Sequence, residues 1–181
     1  KDYQTPDEAY EVQYRFKATR DLEQIQVELE SSRGPMGAKR NRLTVEAMSM
    51  NGETILHFTS AIEMSTVSRV ATATYLATLG RHRIGFSVVE DGDGKKTPVK
   101  GIKGMIERNA MRYYLALQTH IEQRKEPEST RFERSLSTWF DLTERFHDQL
   151  YEVPREEYLE NKKRERLNQT AMQIRIDAAT R

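Results

Sequence analysis

The 181-residue chain contains no cysteine. That excludes disulfides and any zinc site with thiolate ligands, and it fits a reducing compartment. It also lacks an apolar run long enough to cross a bilayer, and its first residues, Lys1-Asp2-Tyr3-Gln4, show neither an initiator Met nor a signal-peptide core. These absences predict a cytoplasmic protein with no membrane partner, and a chain that is a fragment or a processed form. Hydrophobic residues are scarce too, at 36% against 31% charged, with a mean hydropathy of -0.80. Such a balance predicts a modest core with long solvated helices, or surfaces that are buried only in an assembly. Neither sign of charge dominates: 29 Lys and Arg face 28 Asp and Glu, a net of +1. A neutral total exerts no global pull on nucleic acid or anionic membrane, so any such affinity must come from local clustering.

What the chain does contain is alternation, then helical periodicity. Residues 1–9 are polar, include Pro6, and read as a flexible N-terminal arm. From Tyr10, the residues Val12, Tyr14 and Phe16 alternate with polar ones, and Ile25, Val27 and Leu29 do the same beyond a polar turn at Thr19-Arg20-Asp21. Period-two alternation argues for half-buried strands, here an antiparallel hairpin. Residues 31–42 carry two glycines, Pro35 and only positive charges, and read as a basic loop. A second hairpin is expected around Asn51-Gly52, because both turn positions tolerate positive φ. Ser60 and Glu63 have the spacing of a capping box, which predicts a helix over 61–79 closed by Gly80. Residues Arg83 to Val89 read as a fifth strand, ended by Asp91-Gly92-Asp93-Gly94.

Beyond Pro98 the period changes to three and four. Ile102, Met105, Ile106, Asn109, Ala110, Tyr113, Leu117, His120 and Ile121 mark one helix face, and Pro127 ends that helix. A capping box at Thr130 and Glu133 opens a second helix, whose stripe of Phe132, Leu136, Trp139, Phe140, Thr143, Phe146 and Leu150 is expected to pack on the preceding helix. Pro154 opens a last helix with few apolar residues. The predicted fold is α+β: an antiparallel sheet of about five strands with one inserted helix, followed by three C-terminal helices. Residues 10–153 form the α+β domain in this reading, and 154–181 form a polar helix that projects or docks on a partner.

Catalytic and metal motifs do not assemble. No histidine among His57, His82, His120 and His147 has a second histidine or carboxylate at ligand spacing. Gly85-Phe86-Ser87 is followed by Val89 where a nucleophile elbow needs glycine. A calcium loop ending on Gly94 would place Lys100 at its last ligand. A fold that brings His120, His147, Asp141 or Glu144 together would leave catalysis open. We therefore expect a non-enzyme without metal or cofactor.

Two basic segments carry the functional expectation. One holds Arg33, Lys39, Arg40 and Arg42. The other holds Lys95, Lys96, Lys100 and Lys103 around Gly101-Ile102-Lys103-Gly104, a glycine-opened helix start of the kind that draws phosphate. If both lie at one end of the sheet, with Arg81 and Arg83 joining, they form one basic surface for sequence-tolerant contact with DNA or RNA backbone. The aromatic alternation of Tyr10, Tyr14 and Phe16 is assigned to the core rather than to base stacking. The expected function is a nucleic-acid-binding module within a larger assembly. The alternatives are a purely structural protein forming homo-oligomers without nucleic acid and, second, an enzyme whose site the sequence does not reveal.

Overall fold

The structure, a computed structural model, describes residue 5 and residues 11–34, 38–90 and 92–179. It is α+β, as expected. The described residues form two compact units, one ending at Ala110 and one beginning at Met111, with the division inside a single helix. Apart from Thr5, the N-terminal arm lies outside the described residues, as do Tyr10, Pro35, Met36, Gly37 and Asp91.

Four strands of the first unit follow one another as an antiparallel meander: β1 (Arg15–Arg20), β2 (Gln24–Arg33), β3 (Ala38–Met50) and β4 (Glu53–Met64). The first strand begins five residues later than the alternation from Tyr10 suggests, because only Arg15 onward finds a partner, Glu30, across the ladder. Asp21 builds the first turn by accepting the N–H groups of Glu23 and Gln24 at 2.9 and 2.8 Å. Asn51 and Gly52 build the third, with φ of 54° and 80°, the left-handed pair that a two-residue hairpin requires. The segment expected to be a basic loop is mostly strand: β2 continues to Arg33 and β3 resumes at Ala38.

Local helix signals yield to this ladder at Ser60. The expected capping box is not formed, since Ser60, Ala61, Glu63 and Met64 stay paired with Leu43, Arg42, Lys39 and Ala38. Helix α1 (Thr66–Ala77) starts later and is capped by Ser65, whose Oγ accepts the Ser68 N–H at 3.1 Å. It buries Ser68, Thr72 and Leu76 on one face and leaves Val67, Val70 and Tyr75 exposed.

The expected fifth strand shrinks to β5 (Val88–Glu90), paired with β6 (Lys96–Pro98) in a separate two-stranded sheet. Residues 83–87 are irregular because α2 (Gly101–Gln123) occupies their polar groups. Glu107 Oε2 accepts the N–H groups of Phe86 and Ser87 at 2.7 and 2.9 Å, and Arg108 Nη1 donates to the Ile84 carbonyl at 3.0 Å. Two glycines allow this approach. A Cβ on Gly85 would lie 2.8 Å from the Gly104 Cα and 2.6 Å from a Val99 methyl. These anchors rotate α2 away from its expected orientation. Gly104, Arg108, Leu115 and Thr119 are buried, while Ile106, Tyr113, His120 and Ile121, on the predicted core face, are exposed.

The second unit holds the remainder of α2, α3 (Glu128–Glu144), the single turn α4 (His147–Leu150) and α5 (Arg155–Ala179). The stripe on α3 meets α5. Trp139 stacks on Tyr158 at 5.2 Å and 20°, and Phe140 lies 5.5 Å from the same ring. Burial, with Glu165 and Glu152 nearby, pushes the Tyr158 phenol well above its ordinary range. Lys163 pairs with Glu133 at 2.7 Å, and Arg166 lies over Phe132, so the two helices run antiparallel. Arg166 thus sits near the beginning of α3, and residues 169–179 of α5 are all exposed. Between α2 and α3 the link is polar, from Gln123 Nε2 to Thr138 Oγ1 at 3.0 Å.

Because a Cβ on Gly85 would crowd the Gly104 backbone, the Val99 methyl and the Glu107 carboxylate that anchors this segment, Gly85→Ala should cost about 1–3 kcal/mol by overpacking. A urea melt of the variant beside the wild type will measure the loss.

Candidate anion-binding interface

The register of β2, β3 and β4 gives the sheet two unlike faces. One carries Phe16, Ile25, Val27, Leu29, Leu43, Val45, Leu56 and Phe58. The other carries Arg15, Lys17, Glu28, Glu30, Arg42, Glu46 and His57. On the polar face the charges form cross-strand pairs: Arg15 and Arg42 flank Glu30 at 4.0 and 3.6 Å, and His57 Nδ1 contacts Glu46 at 2.8 Å.

A bulge interrupts this pattern between Lys39 and Arg42, where β3 spends one more residue than β4. Arg40 takes a left-handed φ of 47° there, and its Nε lies 3.5 Å from Glu63 Oε2. The bulge faces the start of α1. Between them is an open cleft of about 460 Å³ lined by Glu30, Arg40, Arg42, Ala61, Ile62, Glu63, Met64 and Arg69. Arg69 was missed in the sequence because a helix begun at residue 61 places it mid-helix, far from any terminus.

The first basic segment is therefore brought together at one end of the sheet. Arg33 and Lys39 are register partners, both exposed, and Arg40 and Arg42 share the cleft. In the second segment Lys95 is exposed in the turn before β6, and Lys96 pairs loosely with Glu90 at 4.0 Å. Lys100 and Lys103 are exposed at the start of α2. The glycine-clamp reading of residues 101–104 meets a steric objection. Gly104 is buried against Gly85, so it serves helix packing and is not open to a phosphate.

Other chemistry is dispersed. His147 contacts Glu144 at 3.1 Å, His82 accepts from Arg81, and His120 is exposed. Among the described residues no group of three His, Asp or Glu is placed to hold a metal ion, and no helix is long and apolar enough to cross a membrane. No protein-family model, curated protein or solved structure matches the chain.

Glu107 is the carboxylate with a structural task. Burial pushes its carboxyl upward, but hydrogen bonds from the Ser87 backbone and hydroxyl and the Phe86 N–H, with the nearby Lys103 charge, outweigh it. The net position is below the ordinary value of 4.5. A depressed acid stabilises the fold above its unfolded value, and that contribution disappears as pH falls through the folded value. Glu107→Gln should therefore lower the urea midpoint at pH 7. The gap from wild type should close as the pH drops below about 4.5, which a series of melts across pH will show.

Proposed function

We propose that this chain is a non-enzymatic subunit that associates with further copies of itself. The carrying observation is the apolar face of its sheet. Phe16 is 65% exposed and Ile25 43%, and none of Val27, Leu29, Leu43, Val45, Leu56 or Phe58 is buried. Monomeric domains rarely leave a contiguous apolar face of that kind open to water. The outward stripes of α1 and α2 and the last three turns of α5 add to the unpartnered surface.

The free edges of the sheet favour a second copy as the occupant. Edge strand β1 carries Arg15, Lys17 and Arg20, whereas the opposite edge β4 carries Glu53 and Glu63 and no Lys or Arg. In a four-strand meander these edges run in opposite directions, so β1 of one copy meets β4 of the next as an antiparallel pair. Such pairing is heterologous and propagates until it closes.

A second reading, nucleic-acid binding, is favoured by a separate observation: Arg40, Arg42 and Arg69 share one cleft beside the exposed Arg33 and Lys39. Contact there would be to phosphate rather than to bases, and therefore strongly salt-dependent.

Light scattering after gel filtration, over a range of protein concentrations, tests the first reading. The wild type should be oligomeric. Phe16→Glu, and separately removal of residues beyond Asn168, should shift it toward monomer without changing the circular dichroism per residue. A concentration-independent wild-type monomer would end the proposal. Anisotropy of labelled single- and double-stranded oligonucleotides at two salt concentrations tests the second, and no change at low salt removes it.

A further inference from the structure

We infer that the cleft between the β3 bulge and the start of α1 is a phosphate site, held by Arg40, Arg42 and Arg69. The inference deepens the nucleic-acid reading by naming the bound group and its ligands, and it applies equally to a small phosphate ester.

Charge balance within the cleft is the first argument. Three guanidiniums line it against two carboxylates, Glu30 and Glu63, and Glu30 is further divided between Arg42 and Arg15. Among the described residues Arg69 makes no ion pair and no side-chain hydrogen bond. It stands in the first turns of α1, where the helix end is itself positive and no acidic residue answers it. Cations normally gather at the opposite end of a helix, so this placement is unfavourable unless an anion joins them.

The second argument is geometric. Charge-assisted N–H···O bonds to a carboxylate close to about 2.7–2.9 Å. Arg40 and Arg42 stand 3.5 and 3.6 Å from their glutamates, too far for such bonds. Their donors are attracted but not engaged. A guanidinium has five N–H donors in a planar fork that matches a phosphate bidentately, and here three forks line one space. The cleft, at about 460 Å³, is roomier than a bare ion needs and within the ~300–1,000 Å³ typical of organic ligands. That favours phosphate carried on a larger molecule. The bulge supplies the convergence, since the extra residue on β3 brings Arg40 into the cleft beside Arg42.

Calorimetric titration of the full chain with inorganic phosphate, with sodium chloride as the control, tests this. Wild type should bind saturably, and Arg69→Gln should bind roughly tenfold more weakly with an unchanged circular dichroism spectrum. Glu63→Gln should bind more tightly, because it removes the competing carboxylate, a gain that a purely structural role for these residues does not produce. No saturable heat with wild type overturns the inference, and so does an equal response from Arg69→Gln. An oligonucleotide arm separates the sources. If phosphate binds and oligonucleotides do not, the cleft stands and the ligand is a small ester. If oligonucleotides bind indifferently to Arg69→Gln, nucleic-acid binding survives and the cleft assignment falls.

Discussion

The register of β3 against both of its neighbours is the constraint on which the first unit depends. Pairing Val27 with Val45 and Val45 with Phe58 puts the branched and aromatic side chains on one face of three successive strands. A slip of one residue would exchange the faces, placing Glu28, Glu46 and His57 where the apolar side chains now stand. The same register lines up Arg15, Glu30 and Arg42 across the other face, and its single irregularity, at Arg40 and Asn41, turns a strand end toward α1. Ladder pairing also explains why the helix begins at Thr66. The four paired residues Ser60, Ala61, Glu63 and Met64 outweigh a cap whose contribution is about 1 kcal/mol.

Much of this architecture was legible in the sequence, where period and turn chemistry agreed. Alternation around Val27 and Val45 and the Asn51-Gly52 turn give the central hairpins directly, and Pro154 marks the start of α5; α3 instead begins at Glu128, with Pro127 as its N-cap and without the capping box expected at Thr130 and Glu133. What escaped had a common cause: tertiary partners overrode a local pattern. Ser60 and Glu63 look like a cap only when β3 is ignored. The strand expected over 83–89 loses its ladder to Glu107 and Arg108, side chains twenty residues away. The contact of the α3 stripe with α5 was not expected because Tyr158 lies in a segment too polar to suggest a packing face. At the candidate site Arg40 and Arg42 were visible as charge. Arg69 was not, since only the true start of α1 brings it near them.

The orientation of α2 shows which forces prevail in a chain with so few large apolar residues. Its periodic face of Ile106, Tyr113 and Ile121 was the natural choice for the core. Yet the helix is held from the other side by a buried arginine, a carboxylate bound to two amides and a glycine–glycine approach. Buried polar groups require partners, and each bond left unmade costs about 1–3 kcal/mol. Geometry therefore follows the anchors, and the apolar stripe faces water. Among the described residues no large side chain is fully buried, and serine and threonine are as prominent in the buried set as leucine.

An architecture of this kind separates two tasks that compact enzymes combine. Polar anchors and ladder hydrogen bonds specify the fold, which leaves apolar surface exposed for the association proposed above. Apolar burial between copies is non-directional, and direction must come from elsewhere. In the proposed assembly it comes from the edges of opposite charge on the sheet, with arginine and lysine along β1 and glutamate along β4. The arginine-lined cleft lies at the end of the strands, where Arg42 and Glu63 line it. Because Glu63 belongs both to the β4 edge and to that cleft, anything that draws Arg40 away from it leaves the edge more negative. If the two proposals above both hold, a neighbouring copy's cationic β1 is then held more strongly, and ligand binding and edge pairing are linked through a single carboxylate.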